Sequence, residues 1–268
     1  MFNHAKNGQI AIDGTSVSYI TFGKGDKNLI MIPGVGEGLK TIKGYAIPFS
    51  ILYKKYANDY KVYLFSRRDK LPEGFTTEDM ANDIIRHMET LNIDKADIMG
   101  VSQGGMIAQY VAINAPDKVN KLVLVVTVPR PNKILEDSVN NWLEMSKNKE
   151  FKRIMVDTAE KSYVGKYLDR SRKIYGLLGI YGKKATFDRF NVEANACLSH
   201  NSYNKLNQIK CPTFIIGAKQ DKALGIEGSK ELNEGITNSE LYVYEEYSHG
   251  VYEQAKDFND RVLSFLKK

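Results

Sequence analysis

Two cysteines and four histidines are all that the chain offers to metal or disulfide chemistry. Cys197 and Cys211 have neither metal-ligand spacing nor a disulfide framework around them. They are expected as reduced thiols in or near a core, and no metal is expected. No run reaches the ~18 consecutive apolar residues that a membrane span needs. The first residues, Met-Phe-Asn-His-Ala-Lys-Asn-Gly-Gln, lack the apolar stretch of a secretory signal, so a cytoplasmic location is expected. Repeats and low-complexity tracts are missing too. With 43% hydrophobic and 26% charged residues, the 268-residue chain has the composition of a folded globular protein and not of a disordered one.

Basic residues exceed acidic ones, 38 to 32, for a net charge of +6. They are scattered in short clusters such as Lys54-Lys55, Arg67-Arg68 and Lys183-Lys184, interleaved with acids. No nucleic-acid motif accompanies them, and the expectation is a solvated, lysine-rich surface without a nucleic-acid partner.

Short β-branched runs alternate with amphipathic segments. Strand-like runs occur at 9–12, 17–22, 29–32, 61–65, 96–101, 121–126, 213–217 and 240–244. Between them, 78–91 places Met80, Ile84, Met88 and Leu91 near the 3.6-residue period behind an acidic start, Thr77-Glu78-Asp79. Segments 106–114 and 257–267 read as helices as well. Asp13-Gly14 between the first two runs predicts a hairpin. The β-α-β rhythm that follows predicts a mostly parallel sheet covered on both faces. From Pro129 to Ile209 the rhythm stops. That stretch has no convincing strand but many apolar and aromatic residues, including Trp142, Phe151, Tyr163, Tyr175 and Phe190. It predicts a helical cap over 129–208 inserted into a core formed by 1–128 and 209–268.

Gly100-Val101-Ser102-Gln103-Gly104 fits the G-x-S-x-G nucleophile elbow, and a predicted strand precedes it and a predicted helix follows. Small residues two before and two after the serine let the backbone pass closely in the turn. A serine nucleophile needs a base. His4 lies near the start, His87 in an amphipathic helix where a surface or half-buried structural place is expected, and His200 in the cap. His249 follows the last strand in the loop Tyr247-Ser248-His249-Gly250, and elimination and position both select it. The carboxylate that orients the imidazole is assigned to Asp221, at the carboxyl end of the 213–217 strand.

The chain order Ser102, Asp221, His249 and the features around it resemble the α/β-hydrolase fold. Other matching features are Leu29-Ile30-Met31-Ile32-Pro33-Gly34-Val35 and Ala115-Pro116 with the strand after it. The resemblance spans nearly the entire chain and implies an eight-stranded sheet with helices on both faces. It also implies an oxyanion hole made by the backbone N–H groups of Val35 and Gln103. Two departures stand out: Pro33-Gly34 where the family often has His-Gly, and Ser66-Arg67-Arg68-Asp69 where it often has Asp-x-Arg-Gly. Glu37, between two glycines, is expected to be an exposed loop residue. Gly34, Gly36 and Gly38 do not have dinucleotide spacing, and no cofactor is expected.

The activity expected is that of a cofactor-free serine hydrolase acting on a small-molecule acyl substrate, first a small and mainly apolar carboxylic ester. Cleavage of a carbon–carbon bond, lactone or thioester and acyl transfer use the same triad. A receptor that binds without turnover is the alternative from another class. Tyr175, Tyr181 and His200 are candidates to line the pocket.

Overall fold

The computed structural model describes residues 3–181 and 187–268. Strand β1 (Lys6–Ile12) turns at Asp13-Gly14 into β2 (Thr15–Phe22), and both turn residues have positive φ, +44° and +74°. This is the twist-matched two-residue hairpin that an Asp-Gly pair favours. β3 (Lys27–Ile32) leads through a 3-10 turn (Val35–Gly38) to α1 (Ala46–Leu52) and β4 (Tyr60–Arg68). α2 (Thr77–Thr90), β5 (Ala96–Val101), α3 (Gln103–Asn114) and β6 (Val119–Val125) follow. Four helices come next: α4 (Lys133–Lys147), α5 (Phe151–Ser162), α6 (Gly165–Tyr181) and α7 (Asp188–Ser199). The chain closes with β7 (Thr213–Ala218), α8 (Glu227–Gly235), β8 (Ser239–Tyr244), α9 (Val251–Gln254) and α10 (Phe258–Lys267).

The strands form one sheet in the order β1-β2-β4-β3-β5-β6-β7-β8. β2 is antiparallel to β1 and β4, and every later pairing is parallel. Alternation along the strands divides the core into two layers. Ile30, Ile32, Ile98, Leu122 and Ile215 face α2, α3 and α8, whereas Leu29, Met31, Met99, Val123 and Ile216 face the other side with α10. α2 is capped as its acidic start suggests: Asp79 donates its N–H to Thr76 Oγ1 at 3.1 Å, and the Asp79 carboxylate accepts from the Thr76 N–H at 2.9 Å. The α4–α7 segment builds a third apolar cluster from Leu135, Val139, Trp142, Ile154 and Phe190, which joins the sheet domain through Met106 and Val128.

Two sequence expectations need correction here. β4 does not stop at Phe65 but runs on to Arg68, so Arg67 and Arg68 lie in the sheet and are buried, not solvated. Arg68 is held by a bidentate pair to Asp83, with both contacts at 2.6 Å, and by Asp13 at 2.9 Å. His87 is also fully buried, on the core-facing stripe of α2 against Phe65. Burial, with Arg68 and Arg86 nearby, pushes its pKa down to about 4.

Backbones approach closely where β3, β5 and α3 meet. A Cβ on Gly100 would stand 2.3 Å from the Gly104 carbonyl oxygen, and a Cβ on Gly104 would stand 2.0 Å from that of Ile32. Both obstacles are backbone and cannot move aside as a side chain could. Gly104→Ala should therefore cost about 1–3 kcal/mol or more of unfolding free energy in urea melts. A variant as stable as the native chain would mean that α3 does not pack this closely on β3.

Candidate active site

Ser102 occupies the turn between β5 and α3 with φ +55° and ψ −122°. For a residue with a Cβ this conformation costs on the order of 1–3 kcal/mol. Hydrogen bonds hold it in place. The Ser102 N–H donates to Val125 O at 2.9 Å, and its carbonyl accepts from Thr127 Oγ1 at 2.7 Å and from the Gly105 N–H at 2.9 Å. The side chain is thereby directed into a cavity of about 670 Å³ beneath the α4–α7 segment, which His249 also lines.

Asp221 follows β7 and is buried, with its side chain 1% exposed. Its Oδ1 accepts the N–H groups of Ala223 at 2.8 Å and Leu224 at 2.9 Å, which fixes the carboxylate plane. Its Oδ2 lies 2.8 Å from His249 Nδ1. That contact makes Nδ1 the protonated nitrogen of a neutral ring and leaves Nε2 free to accept a proton. The His249 loop is tied down from both sides: the Ser248 hydroxyl sits between the carbonyls of Lys161 and Gln220, and the Gly250 N–H donates to Ser162 O at 2.6 Å. A Cβ on Gly250 would meet the Tyr163 ring at 2.5 Å, so the loop can take this path only with glycine after the histidine. Ser102 and His249 line the same cavity, but no hydrogen bond joins them among the described residues.

Val35 and Gln103 are each the first residue of a helical turn, so their N–H groups have no partner within it. Val35, Gly34 and Ser102 all line the cavity. Among the described residues, no group of three or more histidine, cysteine or carboxylate side chains could hold a metal.

Glu37 is the largest departure from expectation. It is 5% exposed instead of lying in an open loop. Its carboxylate accepts from the Ser66 hydroxyl, from the Arg67 N–H at 3.2 Å and from Arg189 Nη2 of α7 at 2.6 Å. Arg67 in turn donates Nη2 to the Pro33 carbonyl and to Gln103 Oε1 at 3.3 Å, and Gln103 Nε2 donates to Glu193 O. These contacts fasten β4, the turn after β3, the start of α3 and α7 to one another. Sequence spacing gave no signal of this, because Glu37 and Arg189 lie 152 positions apart.

Glu193 completes the buried group. Its Oε1 lies 3.2 Å from Arg189 Nε, without hydrogen-bond alignment. Burial raises its pKa to about 8, with Arg67 pulling it down and Glu37 pushing it up.

The cavity wall is mainly apolar, with Ile42, Phe49, Trp142, Phe151, Met155 and Phe190. Tyr175 lines it. The Tyr181 side chain lies outside the described residues. His200 does not reach the cavity: it is 2% exposed, its Nδ1 is 2.9 Å from Thr77 Oγ1, and burial holds its pKa down at about 3. Tyr252, Lys161 and Thr158 line the wall without any signal in the sequence that could have singled them out.

A sequence model of the alpha/beta hydrolase fold matches residues 28–151. Among curated relatives, the 2-hydroxy-6-oxononadienedioate/2-hydroxy-6-oxononatrienedioate hydrolase 1 of Pseudomonas putida is 24% identical, over 94% of this chain and 92% of its own. Among solved structures, MGS-M2, an alpha/beta hydrolase enzyme from a Medee basin deep-sea metagenome library, superposes with a TM-score of 0.86 at 22% identity. The match covers 97% of this chain and 98% of that one. The enol-lactonase of Burkholderia xenovorans LB400 gives a TM-score of 0.80 at 17% identity, with 97% and 100% covered. With the elbow at β5 and the sheet order above, these likenesses define the class: an α/β-hydrolase fold. The chain has the α/β-hydrolase fold, and the relatives named here, which it resembles at 17–24% identity, are hydrolases by name or description.

Two measurements check the site. Asp221→Asn keeps the shape but favours the wrong imidazole tautomer, and kcat on any substrate turned over should fall by roughly 10⁴; a native rate would remove Asp221 from the relay. For Glu193, the folded pKa lies above the unfolded one, so the folded state keeps a proton that the unfolded chain releases. This group's contribution to stability is therefore lost as pH rises from about 4.5 toward about 8. Glu193→Gln should gain stability relative to the native chain between about pH 5 and about pH 9 in paired urea melts. A constant difference across that range would show that Glu193 is ionised throughout.

Proposed function

We propose that this protein is a cofactor-free serine hydrolase that cleaves a mainly apolar carboxylic ester. The observation that supports it most directly is the 2.8 Å Asp221–His249 contact facing the same cavity as a serine held at φ +55°. In this reading Ser102 Oγ attacks the ester carbonyl as its proton passes to His249 Nε2. The oxyanion that forms accepts the N–H groups of Val35 and Gln103, a stabilisation worth roughly 10²–10³ in rate per donor. Collapse of the tetrahedral adduct breaks the ester bond, and the leaving oxygen takes the proton from His249. A water that His249 deprotonates then attacks the acyl carbon, and Ser102 leaves with that proton.

The charges around the cavity favour an apolar acyl or aryl group. Lys161 has both oxygens of Asp157 at 2.6 Å, and Glu37 is bonded to Arg189. Arg67 and Arg189 do not line the wall. Of the two lysines that line the cavity, Lys161 is paired and Lys40 is exposed at the rim. A substrate with two carboxylates, such as the dioate in the Pseudomonas relative's name, would therefore meet no unpaired lysine or arginine deep in the cavity among the described residues. A second reading, cleavage of a carbon–carbon bond or a lactone on the same triad, draws support from the names of that relative and of the enol-lactonase neighbour.

Hydrolysis of p-nitrophenyl esters from acetate to decanoate tests the proposal, with Ser102→Ala as the control. Turnover by the native chain, falling by several powers of ten in a folded variant, is the result expected. The absence of turnover on every ester would move the assignment to the carbon–carbon or lactone reading.

A further inference from the structure

Net charge and exposed apolar surface both concentrate on the rim of the cavity. Segment 40–55 carries Lys40, Lys43, Lys54 and Lys55 and no acidic residue. Segment 165–178 carries Lys166, Arg170, Arg172 and Lys173 against Asp169 alone. Together they hold seven net positive charges, one more than the whole chain's +6, so the rest of the molecule is close to neutral. All eight of these cations are exposed. Arg172 and Lys55 pair with Glu160 and Asp260, whereas the other six have no acidic partner within 4 Å among the described residues.

The same two segments hold eight of the ten large hydrophobic side chains that are exposed among the described residues. Tyr45, Ile47, Ile51 and Leu52 belong to the first; Tyr167, Ile174, Leu177 and Leu178 belong to the second. Both segments reach the cavity, through Lys40 and Phe49 on one side and Tyr175 and Leu178 on the other. Leu178 is 42% exposed while lining the cavity, which marks where it opens. Scattered hydrophobic residues on a surface need no explanation, but eight exposed apolar side chains and six unpaired cations on two segments that line one cavity do.

We propose that this rim docks on an anionic lipid surface, with the apolar side chains entering the headgroup boundary and the lysines facing lipid phosphates. The chemistry on both sides is complementary: apolar area favours insertion, and each Lys or Arg near a negative leaflet adds to it. A second copy of the chain fits less well, because a two-fold contact through this face would set its positive charge against itself. The inference deepens the esterase reading, since an apolar substrate could then pass from the lipid phase into the cavity without crossing water.

Flotation with phosphatidylcholine vesicles, with and without phosphatidylglycerol, tests the docking apart from any catalysis. Native protein and Ser102→Ala should float equally well with the anionic vesicles and poorly with the neutral ones. Lys43→Glu with Lys173→Glu should lower partition at least about tenfold, and Ile51→Ser with Leu177→Ser should weaken it as well. Both double variants should keep native turnover of p-nitrophenyl acetate, which shows that they fold. Absence of flotation, equal binding to both vesicle types, or native binding by the double variants would overturn the proposal. So would sedimentation showing a dimer that Ile51→Ser with Leu177→Ser abolishes. Loss of ester turnover in all forms with flotation intact would leave the docking standing and overturn only the esterase reading.

Discussion

The site depends on one close approach between backbones, that of Gly104 beneath the carbonyl oxygen of Ile32. Because α3 starts this close to β3, the chain has no room for a gradual turn after β5. Ser102 must take positive φ, and helix α3 begins at once with Gln103. Three consequences follow from this geometry. The serine side chain lines the cavity, α3 starts at the next residue, and the turn after β3 passes close by, with a Cβ on Gly34 only 3.2 Å from Ser102 Cβ. Strain at Ser102 is offset by hydrogen bonds from β6 and the loop after it, through Val125 and Thr127. The Ser102 turn and the abrupt start of α3 are thus products of a single packing constraint.

A second constraint keeps these pieces in register. Arg67, Arg189, Glu37 and Glu193 are two cations and two carboxyls in a dry interior. Such groups add little net stability, but removing one partner costs about 3–5 kcal/mol because it leaves a buried charge uncompensated. Their value here lies in what they join. Glu37 belongs to the turn after β3, Gln103 begins α3, and Arg189 belongs to α7, which packs on that turn. α7 is thereby fixed to the cavity floor beside Ser102. α6 packs instead on α5 and contributes the apolar rim, so that the α4–α7 segment has one face committed to the chemistry and another free to meet what enters.

Features written in local sequence were legible before the structure. The strand runs, the Asp-Gly hairpin and the elbow are patterns a few residues long, and each fell within a few residues of its observed place. The order Ser102, Asp221, His249 needed only the strands to be counted correctly. What stayed hidden was pairing at long range. Arg67 and Arg68 read as surface charge because the apolar run of β4 ends at Phe65, and their partners, the Pro33 carbonyl and Asp83, lie elsewhere in the chain. Glu37 read as exposed because glycine flanks it and Arg189 lies on a helix 152 positions away. His200 read as a pocket residue because helical-segment membership says nothing about which face is turned inward. It points at Thr77 instead.

The contrast between the inside and the rim is the last feature that needs a physical account. Of the charged groups at the cavity wall, Lys161 pairs with Asp157 and Glu37 with Arg189. An ionic substrate would have to displace one of these partners and strand it in a low-dielectric site, at the cost of its desolvation. An apolar substrate displaces only water. On the rim the situation is reversed, since six exposed cations have no acidic partner within 4 Å among the described residues and stand beside apolar side chains that nothing covers. A charge left unpaired in water costs little, and it acts over a distance of about one Debye length, roughly 8 Å at physiological salt. Rim and cavity therefore act by different physics: unpaired charge on the rim is felt at long range, whereas the mainly apolar cavity wall meets what enters only by contact.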